Sequence, residues 1–250
     1  MIHLENEVAI ITGSGRGIGA DIARKLAACR CRVVVNYNQS REKAESVVLE
    51  IQQAGGMAMA VKADATHADE VGKMVETTIK EFGNPTILVN NASSSIITKK
   101  IAKTEWNDFQ SSFNMAIQSA FNCCAAVTPA MMKSRRGKIV NIVTQYSFGV
   151  PPTAMATYVT AKYALVGFSK CLAVELAPFG IQVNMVSPGF TETDLTSHIP
   201  DSFKQSIAGQ TPLKRNTQCA DTANAVLYLV SDLSNFITGA NLPVCGGNIM

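Results

Sequence analysis

Short runs of β-branched and apolar residues recur along this chain with no polar residue alternating inside them, and longer stretches of helical periodicity separate them. VAIIT (8–12) leads into a helical pattern ending near residue 28, and RVVVNY (32–37) leads into another over about 41–54. MAMAVKA precedes a helix over about 68–82, and TILVNN precedes a long helical region over 104–134. KIVNIVT (138–144) precedes a helix over about 155–177, which runs into IQVNMVS (181–187). A strand with one face in water alternates apolar with polar, so continuously apolar strands imply cover on both faces. Strand, helix, strand, helix, with neither linker nor internal repeat, predicts one doubly wound α/β domain over 1–250, a parallel sheet of about seven strands with helices on both sides.

A chain of 250 residues at 47% hydrophobic and 16% charged content buries a large core and lies far from disorder. The net charge of +3 is scattered, which argues against nucleic acid as a partner. Lys133, Arg135, Arg136 and Lys138 form one small basic cluster, read as a solvated helix end and turn, with an acidic partner as the other reading. The start lacks a signal-peptide pattern and no stretch reaches membrane-spanning length, so a cytoplasmic protein with no membrane partner is expected. Seven cysteines show no metal spacing, and His3, His67 and His198 are isolated; small reduced core cysteines and no metal site are expected. Residues 190–217, rich in Thr, Ser, Asp and Pro, follow the sixth strand. In an open α/β sheet ligands bind beyond the carboxyl ends of the strands, so this segment is a candidate substrate lid, an ordinary surface excursion being the alternative.

Directly after the first strand stands TGSGRGIG, where a strand turns sharply into a helix. Its glycines admit a pyrophosphate close to the backbone, at a helix N-terminus that favours its charge. Thr12, Gly13, Ser14, Arg16, Gly17, Ile18 and Gly19 form this loop, and its T-G-x-x-x-G-x-G spacing resembles that of the short-chain dehydrogenase/reductase family. The fold is then a Rossmann fold binding a nicotinamide dinucleotide. At the end of the second strand an acidic residue would accept from the adenosine ribose and repel a 2′-phosphate; Tyr37 stands there instead. With Arg16, Asn38, Ser40 and Arg41 able to surround a phosphate, NADP(H) is expected over NAD(H). Asp64, followed by Ala65 in KADAT, resembles the aspartate that holds the adenine amine. NNAS, with Asn91 and Ala92, resembles the family's N-N-A-G, with Ser93 in place of the glycine.

Tyr158 and Lys162 stand four apart, on one face of a helix. An ammonium fixed near a phenol favours the phenolate, which lets Tyr158 exchange a proton with a carbonyl or alcohol near neutral pH. The pair matches the family's Y-x-x-x-K, and the resemblance continues through KYALVGFSKCLAVELAPFGIQVNMVSPGFTETDL to TGANLPVCGG, covering essentially the whole chain. In the family the lysine also holds the nicotinamide ribose. Tyr163 has no lysine at that offset. The family's serine at the end of the fifth strand is absent: counting from Gly137 reaches Thr144, counting back from Tyr158 reaches Gln145, and Ser147 is a second candidate. Thr144 ranks first, as its hydroxyl keeps a donor and an acceptor, and a structural role for both as turn residues is the alternative.

The resemblance also places Pro188 and Gly189 over the nicotinamide and gives Thr193 its carboxamide or pyrophosphate, with Glu192 and Asp194 read as helix-start residues and Ile142 and Val186 as lining. The family's fourth active-site residue, an asparagine, is replaced by Ala116, and Asn114 is not equivalent to it. The resemblance implies an NADP(H)-dependent reductase of a carbonyl, or oxidoreductase of a secondary alcohol, nearest the 3-oxoacyl-(acyl-carrier-protein) reductase type, whose substrate is carried as a thioester. It also implies a homotetramer built on the helices of 104–134 and 155–177. A cofactor-binding protein with little turnover, serving regulation or interaction, is the alternative that Ala116, Ser93 and the missing serine support.

Overall fold

Seven parallel strands in the order β3-β2-β1-β4-β5-β6-β7 form one sheet in the computed structural model, which describes residues 2–93, 96–197 and 199–249. The strands are β1 (Val8–Ile11), β2 (Arg32–Tyr37), β3 (Met57–Lys62), β4 (Ile87–Asn90), β5 (Gly137–Ile142), β6 (Ile181–Pro188) and β7 (Asn241–Val244). Between them run helices α1 (Gly17–Ala28), α2 (Arg41–Gln53), α3 (Ala68–Phe82), α4 (Trp106–Phe113), α5 (Ser119–Ser134), α6 (Ala156–Leu176), α7 (Asp201–Gln210) and α8 (Cys219–Val230). The Rossmann architecture expected from the apolar runs is present, and α8 and β7 complete it from a segment whose pattern is less distinct.

Alternate residues of each strand serve opposite layers, as the two-residue strand period requires. Ala9, Ile11, Val33, Val35, Ile87 and Val89 pack with α1, α2 and α8 on one face. Ile10, Val34, Leu88 and Ile139 pack with α3, α5 and α6 on the other. A fully buried Ile or Leu contributes about 1.5–3 kcal/mol, so a sheet covered on both sides needs no polar alternation to be stable.

The chain moves outward from β1 through β2 to β3, then returns to place β4 on the other side of β1. This reversal opens a crevice beyond the carboxyl ends of β1 and β4, the usual ligand position in such sheets. The long helical region of 104–134 is not uniform: between α4 and α5, residues Asn114–Gln118 form a π-helical turn. Residues 190–217 carry a short 3-10 turn, Asp194–Thr196, and α7.

Three of the four basic cluster residues are paired within the chain, and Lys133 is exposed. Arg135 donates to the Pro178 carbonyl at 2.7 Å, Arg136 pairs with Glu7, and Lys138 donates to Asn235 at 2.7 Å. The cysteines are free thiols. Cys31, Cys123, Cys124 and Cys245 are buried and Cys29 and Cys219 half-buried, whereas Cys171 is exposed on α6, against the expectation of a core position. His198, Ser94 and Ser95 lie outside the described residues. No helix among the described residues is long and apolar enough to cross a membrane.

Candidate active site

The loop between β1 and α1 is shaped by close packing that only glycine permits. Gly13 and Gly17 have positive φ (61° and 55°), and a Cβ on Gly13 would lie 2.9 Å from the Ala92 Cα. The Thr12 hydroxyl accepts from the backbone N–H groups of Asn91 and Ala92, both at 3.0 Å, which ties the loop to the end of β4. Asn91 donates back to the carbonyls of Thr12 and Gly13 at 3.0 and 3.1 Å. Ser14 is turned inward and fully buried: its hydroxyl donates to the Ile11 carbonyl at 2.6 Å and its N–H to the Asn36 carbonyl at 3.0 Å, so it holds the loop from behind. Asn36, which the sequence reading did not single out, accepts from the Gly13 N–H at 3.1 Å and donates to the Ala63 carbonyl at 3.0 Å. It therefore fixes the loop to β2 and to the end of β3, a role hidden because asparagine within a strand carries no motif.

Helix α1 starts at Gly17 with no acidic residue in its first turn, so its unpaired N–H groups and positive end face the crevice. Gly17 and Ile18 line the cleft there, and Gly19 packs where a Cβ would sit 2.5 Å from Asn91 Nδ2. A cradle of bare backbone beside a helix N-terminus fits a dinucleotide pyrophosphate.

At the far end of this cradle, Tyr37 is half-buried and no carboxylate closes β2. Asn38 donates to Asp64 at 2.8 Å. Burial pushes the Asp64 carboxyl up, but hydrogen bonds from the Thr66 hydroxyl and N–H, the electrostatic attraction of His67 and a hydrogen bond from Asn38 outweigh it and hold it below its usual range. Ala65, buried beside it, accepts from Asn122 at 3.1 Å. Ser40 precedes α2, and Arg41 lies exposed at its start, paired with Glu45 at 2.7 Å. Arg16 reaches the other way, to Asp194 at 3.5 Å, and Lys43, also missed in the sequence, pairs with the same carboxylate. These cations hold Asp194 below the usual carboxyl range, Lys43 acting most strongly. Asp194 does begin a helical turn, yet it also joins residues 190–217 to the glycine loop and α2, a link of 151 positions that spacing cannot show.

Tyr158 and Lys162 stand one turn apart on α6, and both line the cleft with Thr144 from the end of β5. Lys162 is buried; its Nζ donates to the Ile142 carbonyl at 2.8 Å and lies 6.0 Å from the centroid of the Tyr158 ring. Burial alone lowers this ammonium to about 8. The phenol of Tyr158 is pushed up to about 12, chiefly by burial and slightly by Tyr146, with a hydrogen bond from Thr144 working against the rise. The sequence led us to expect an ammonium that favours the phenolate. The physical reason for the opposite direction is that Lys162 is committed to a backbone carbonyl and the phenol loses more solvent than it gains in charge.

The structure separates the two candidate hydroxyls. Thr144 is 5% exposed, lines the cleft and accepts from the Tyr146 N–H. Ser147 instead donates to the Thr144 carbonyl at 2.8 Å and meets Ser187 and Asn241 at 3.4 and 3.3 Å, behind the cleft wall. Gln145, where the other count landed, is also buried on the cleft. Tyr163 is 46% exposed on another side of α6. Ala116 is buried within the π-helical turn, while Asn114 is exposed, so the wide turn forms without an asparagine side chain inside it.

Pro188 and Gly189 close the end of β6 beside the cleft. Gly189 lies where a Cβ would meet the Thr217 hydroxyl at 2.6 Å. Thr193 faces Gly17 across the crevice, its methyl 3.3 Å from a Cβ placed there. Ile142 lines the cleft, and Val186 is fully buried behind it. Ser93 is an exposed lining residue. The cleft holds about 1270 Å³ and is walled by Phe148, Val150, Met155, Ile199, Phe203 and Ile207, with Asn248 and Ile249 closing one side. The arrangement offers a phenol, a buried ammonium and a hydroxyl around one point beside a phosphate cradle.

A family model described as enoyl-(acyl carrier protein) reductase matches residues 13–248. The chain is 38% identical over 248 residues to the 3-oxoacyl-(acyl-carrier-protein) reductase of Staphylococcus epidermidis, covering 98% of this chain and 100% of that protein. Among solved structures, 7α-hydroxysteroid dehydrogenase complexed with NADH and 7-oxo glycochenodeoxycholic acid superposes with a TM-score of 0.93 at 33% identity, over 99% of this chain and 96% of that one. Gluconate 5-dehydrogenase from Burkholderia cenocepacia, in complex with NADP and tartrate, gives 0.91 at 30% identity, over 98% and 96%.

Proposed function

The chain belongs to the short-chain dehydrogenase/reductase family of oxidoreductases, and on that premise we propose that it is an NADP(H)-dependent reductase of a carbonyl substrate. The observation that carries this reading is the convergence of Tyr158, Lys162 and Thr144 on one point of the cleft, next to the glycine cradle. Bound NADP(H) supplies the hydride that joins the carbonyl carbon. Thr144 donates its hydroxyl hydrogen bond to the carbonyl oxygen and fixes its direction. Tyr158, protonated at neutral pH, gives its phenolic proton to that oxygen, so C=O becomes CH–OH and a phenolate remains. Lys162, one turn away, stabilises that phenolate and holds the nicotinamide ribose. In the reverse direction the same groups take the proton from a secondary alcohol.

The residues of the cradle support the cofactor assignment. Gly13, Gly17, Ile18 and Asn91 line the place for the pyrophosphate, and Thr12, Ser14, Gly19 and Ala92 hold the loop in shape behind them. Asp64 and Ala65 bound the adenine. Tyr37 without an acidic neighbour, together with Arg16, Asn38, Ser40 and Arg41, favours a 2′-phosphate and hence NADP(H) over NAD(H). Pro188, Gly189 and Thr193 lie at the nicotinamide end. The 3-oxoacyl thioester class enters through the 38% identical reductase, and the apolar cleft accommodates such a chain. Residues 190–217 form the lid. A homotetramer accounts for the exposed Trp106, Phe121, Tyr163 and Val174 on α4, α5 and α6, and light scattering from a monomer would count against it.

The second reading, a cofactor-binding protein of low turnover, rests on Ala116. NADPH oxidation over a panel of acyl thioesters and ketones, run on wild type beside Tyr158→Phe, decides between them. Reduction of one substrate and loss of about 10²–10⁴ in rate on removing the phenol supports the enzyme. Equal rates in the two proteins would reject the assignment of Tyr158.

A further inference from the structure

Two phenols, Tyr158 and Tyr146, line the cleft near Thr144, and the proposed proton transfer uses the first. Tyr146 is half-buried, two residues beyond Thr144, and no hydrogen bond among the described residues uses its phenolic oxygen. That oxygen is also not one of the buried atoms that lack a partner, so it is open to solvent. The turn that carries it is pinned on both sides. The Tyr146 N–H donates to the Thr144 hydroxyl at 3.4 Å, the Ser147 N–H to the Thr144 carbonyl at 3.0 Å and the Phe148 N–H to the Gln145 carbonyl at 3.0 Å. Tyr146 lies close enough to Tyr158 to add to the rise of that phenol, so the two side chains address one region of the cleft. Most other polar side chains along the cleft are engaged or nearly enclosed. Thr191, Thr196, Gln210 and Asn248 donate to partners within the protein, and Gln145 is 6% exposed. Thr98 and Thr153 are exposed, where a bond to a ligand competes with water.

We propose that Tyr146 is a specificity-determining residue whose phenol donates a hydrogen bond to a second carbonyl oxygen on the substrate, separated from the reacting carbonyl by one methylene. The substrate class is then a 1,3-dicarbonyl, such as a 3-oxoacyl thioester, rather than an isolated ketone. A phenolic O–H is a donor and a carbonyl oxygen an acceptor, so the pairing is complementary. With Thr144 and Tyr158 on the reacting oxygen and Tyr146 on the other, rotation about the bonds between the two carbonyls is restricted, which orients the reacting carbon. Without the Tyr146 hydroxyl the second oxygen enters a cleft walled by Phe148, Val150 and Met155 with its hydrogen bond unmade, a cost that an isolated ketone does not carry. This inference rests on the carbonyl-reductase reading and narrows its substrate.

The test compares S-acetoacetyl-N-acetylcysteamine with S-(3-oxobutyl)-N-acetylcysteamine, which has a methylene in place of the thioester carbonyl, as substrates for wild type and Tyr146→Phe. The variant keeps the ring and its packing and loses the hydroxyl. In Tyr146→Phe, kcat/KM for the thioester is expected to fall about tenfold and that for the thioether to stay within about twofold, with NADPH binding unchanged. A ratio of the two kcat/KM values that is the same in both proteins overturns the proposal, whether both rates fall or neither does. So does a ratio that moves in favour of the thioester. If wild type reduces neither compound, the reductase reading fails first. Calorimetric binding of the two compounds to the NADP⁺-bound proteins then decides the role of Tyr146: it stands if the preference for the thioester drops about tenfold in Tyr146→Phe, and it is overturned if the preference is the same.

Discussion

Lys162 Nζ donates to the main-chain carbonyl of Ile142 at 2.8 Å, inside the protein and 6.0 Å from the ring centroid of Tyr158. This buried ammonium makes stability depend on pH. Its folded pKa is about 8 against 10.5 unperturbed. Between those values the unfolded chain holds a proton that the native state has released, so stability rises with pH across this window. Below about 8 both states are charged and the burial penalty is fully present. The deficit of wild type relative to Lys162→Met is therefore expected to shrink by at most about 1.4 kcal/mol per pH unit from pH 8 to 10.5. Urea unfolding of both proteins at several pH values checks this, and a difference that does not change with pH rejects it.

On the proposed reading Thr144 takes part in the chemistry and Ser147 supports it. Thr144→Ala is expected to lower kcat by about 10²–10³, as for loss of one polarising donor, and Thr144→Ser to stay within about tenfold of wild type. Ser147→Ala removes the 2.8 Å bond to the Thr144 carbonyl and should cost about 0.5–1.5 kcal/mol of stability with a smaller effect on kcat. Steady-state kinetics beside thermal unfolding measures both. The reverse pattern would transfer the role to Ser147.

Asp194 pairs with Arg16 and Lys43, so on the NADP(H) reading it would compete with the 2′-phosphate for them. All three side chains are about half-exposed, where an ion pair contributes at most about 1 kcal/mol. Asp194→Asn should therefore tighten NADPH by up to about fivefold and leave NADH less changed, an effect that fades at high salt. Arg16→Met should weaken NADPH by roughly tenfold or more and NADH little. Fluorescence titrations of wild type and both variants at low and high salt give these constants, and equal losses for both nucleotides would contradict a 2′-phosphate role for Arg16.

Gly19→Ala places a methyl 2.5 Å from Asn91 Nδ2 and 2.7 Å from the Gly13 carbonyl, atoms that hold the cradle together. We expect a fall in Tm and loss of NADPH binding. Gly72→Ala on α3, with nothing within 4 Å, is the matched control and should gain up to about 1 kcal/mol. Calorimetric melting with and without NADPH distinguishes them, and an unchanged Gly19→Ala would mean the loop has more room than its packing indicates.

Much of this protein is determined by local sequence. The apolar runs VAII, RVVVNY and ILVN specify strands covered on both faces, because a strand that buries both sides has no polar alternation. TGSGRGIG specifies the turn into α1, because only glycine allows the positive φ and close approach found at Gly13. The Tyr158 and Lys162 spacing specifies that both share a helix face. Tertiary structure decided the rest, since these relationships join residues that spacing does not relate. The choice of Thr144 over Ser147 follows from Ser187 and Asn241, brought in by β6 and β7. The direction of the Tyr158 shift follows from burial and from the carbonyl that occupies Lys162. Asn36 and Lys43 carry no motif, and their parts arise only where folding places an acceptor beside Gly13 and a cation beside Asp194. Hydrogen bonding and desolvation depend on what surrounds an atom in space, which is why the sequence alone did not contain them.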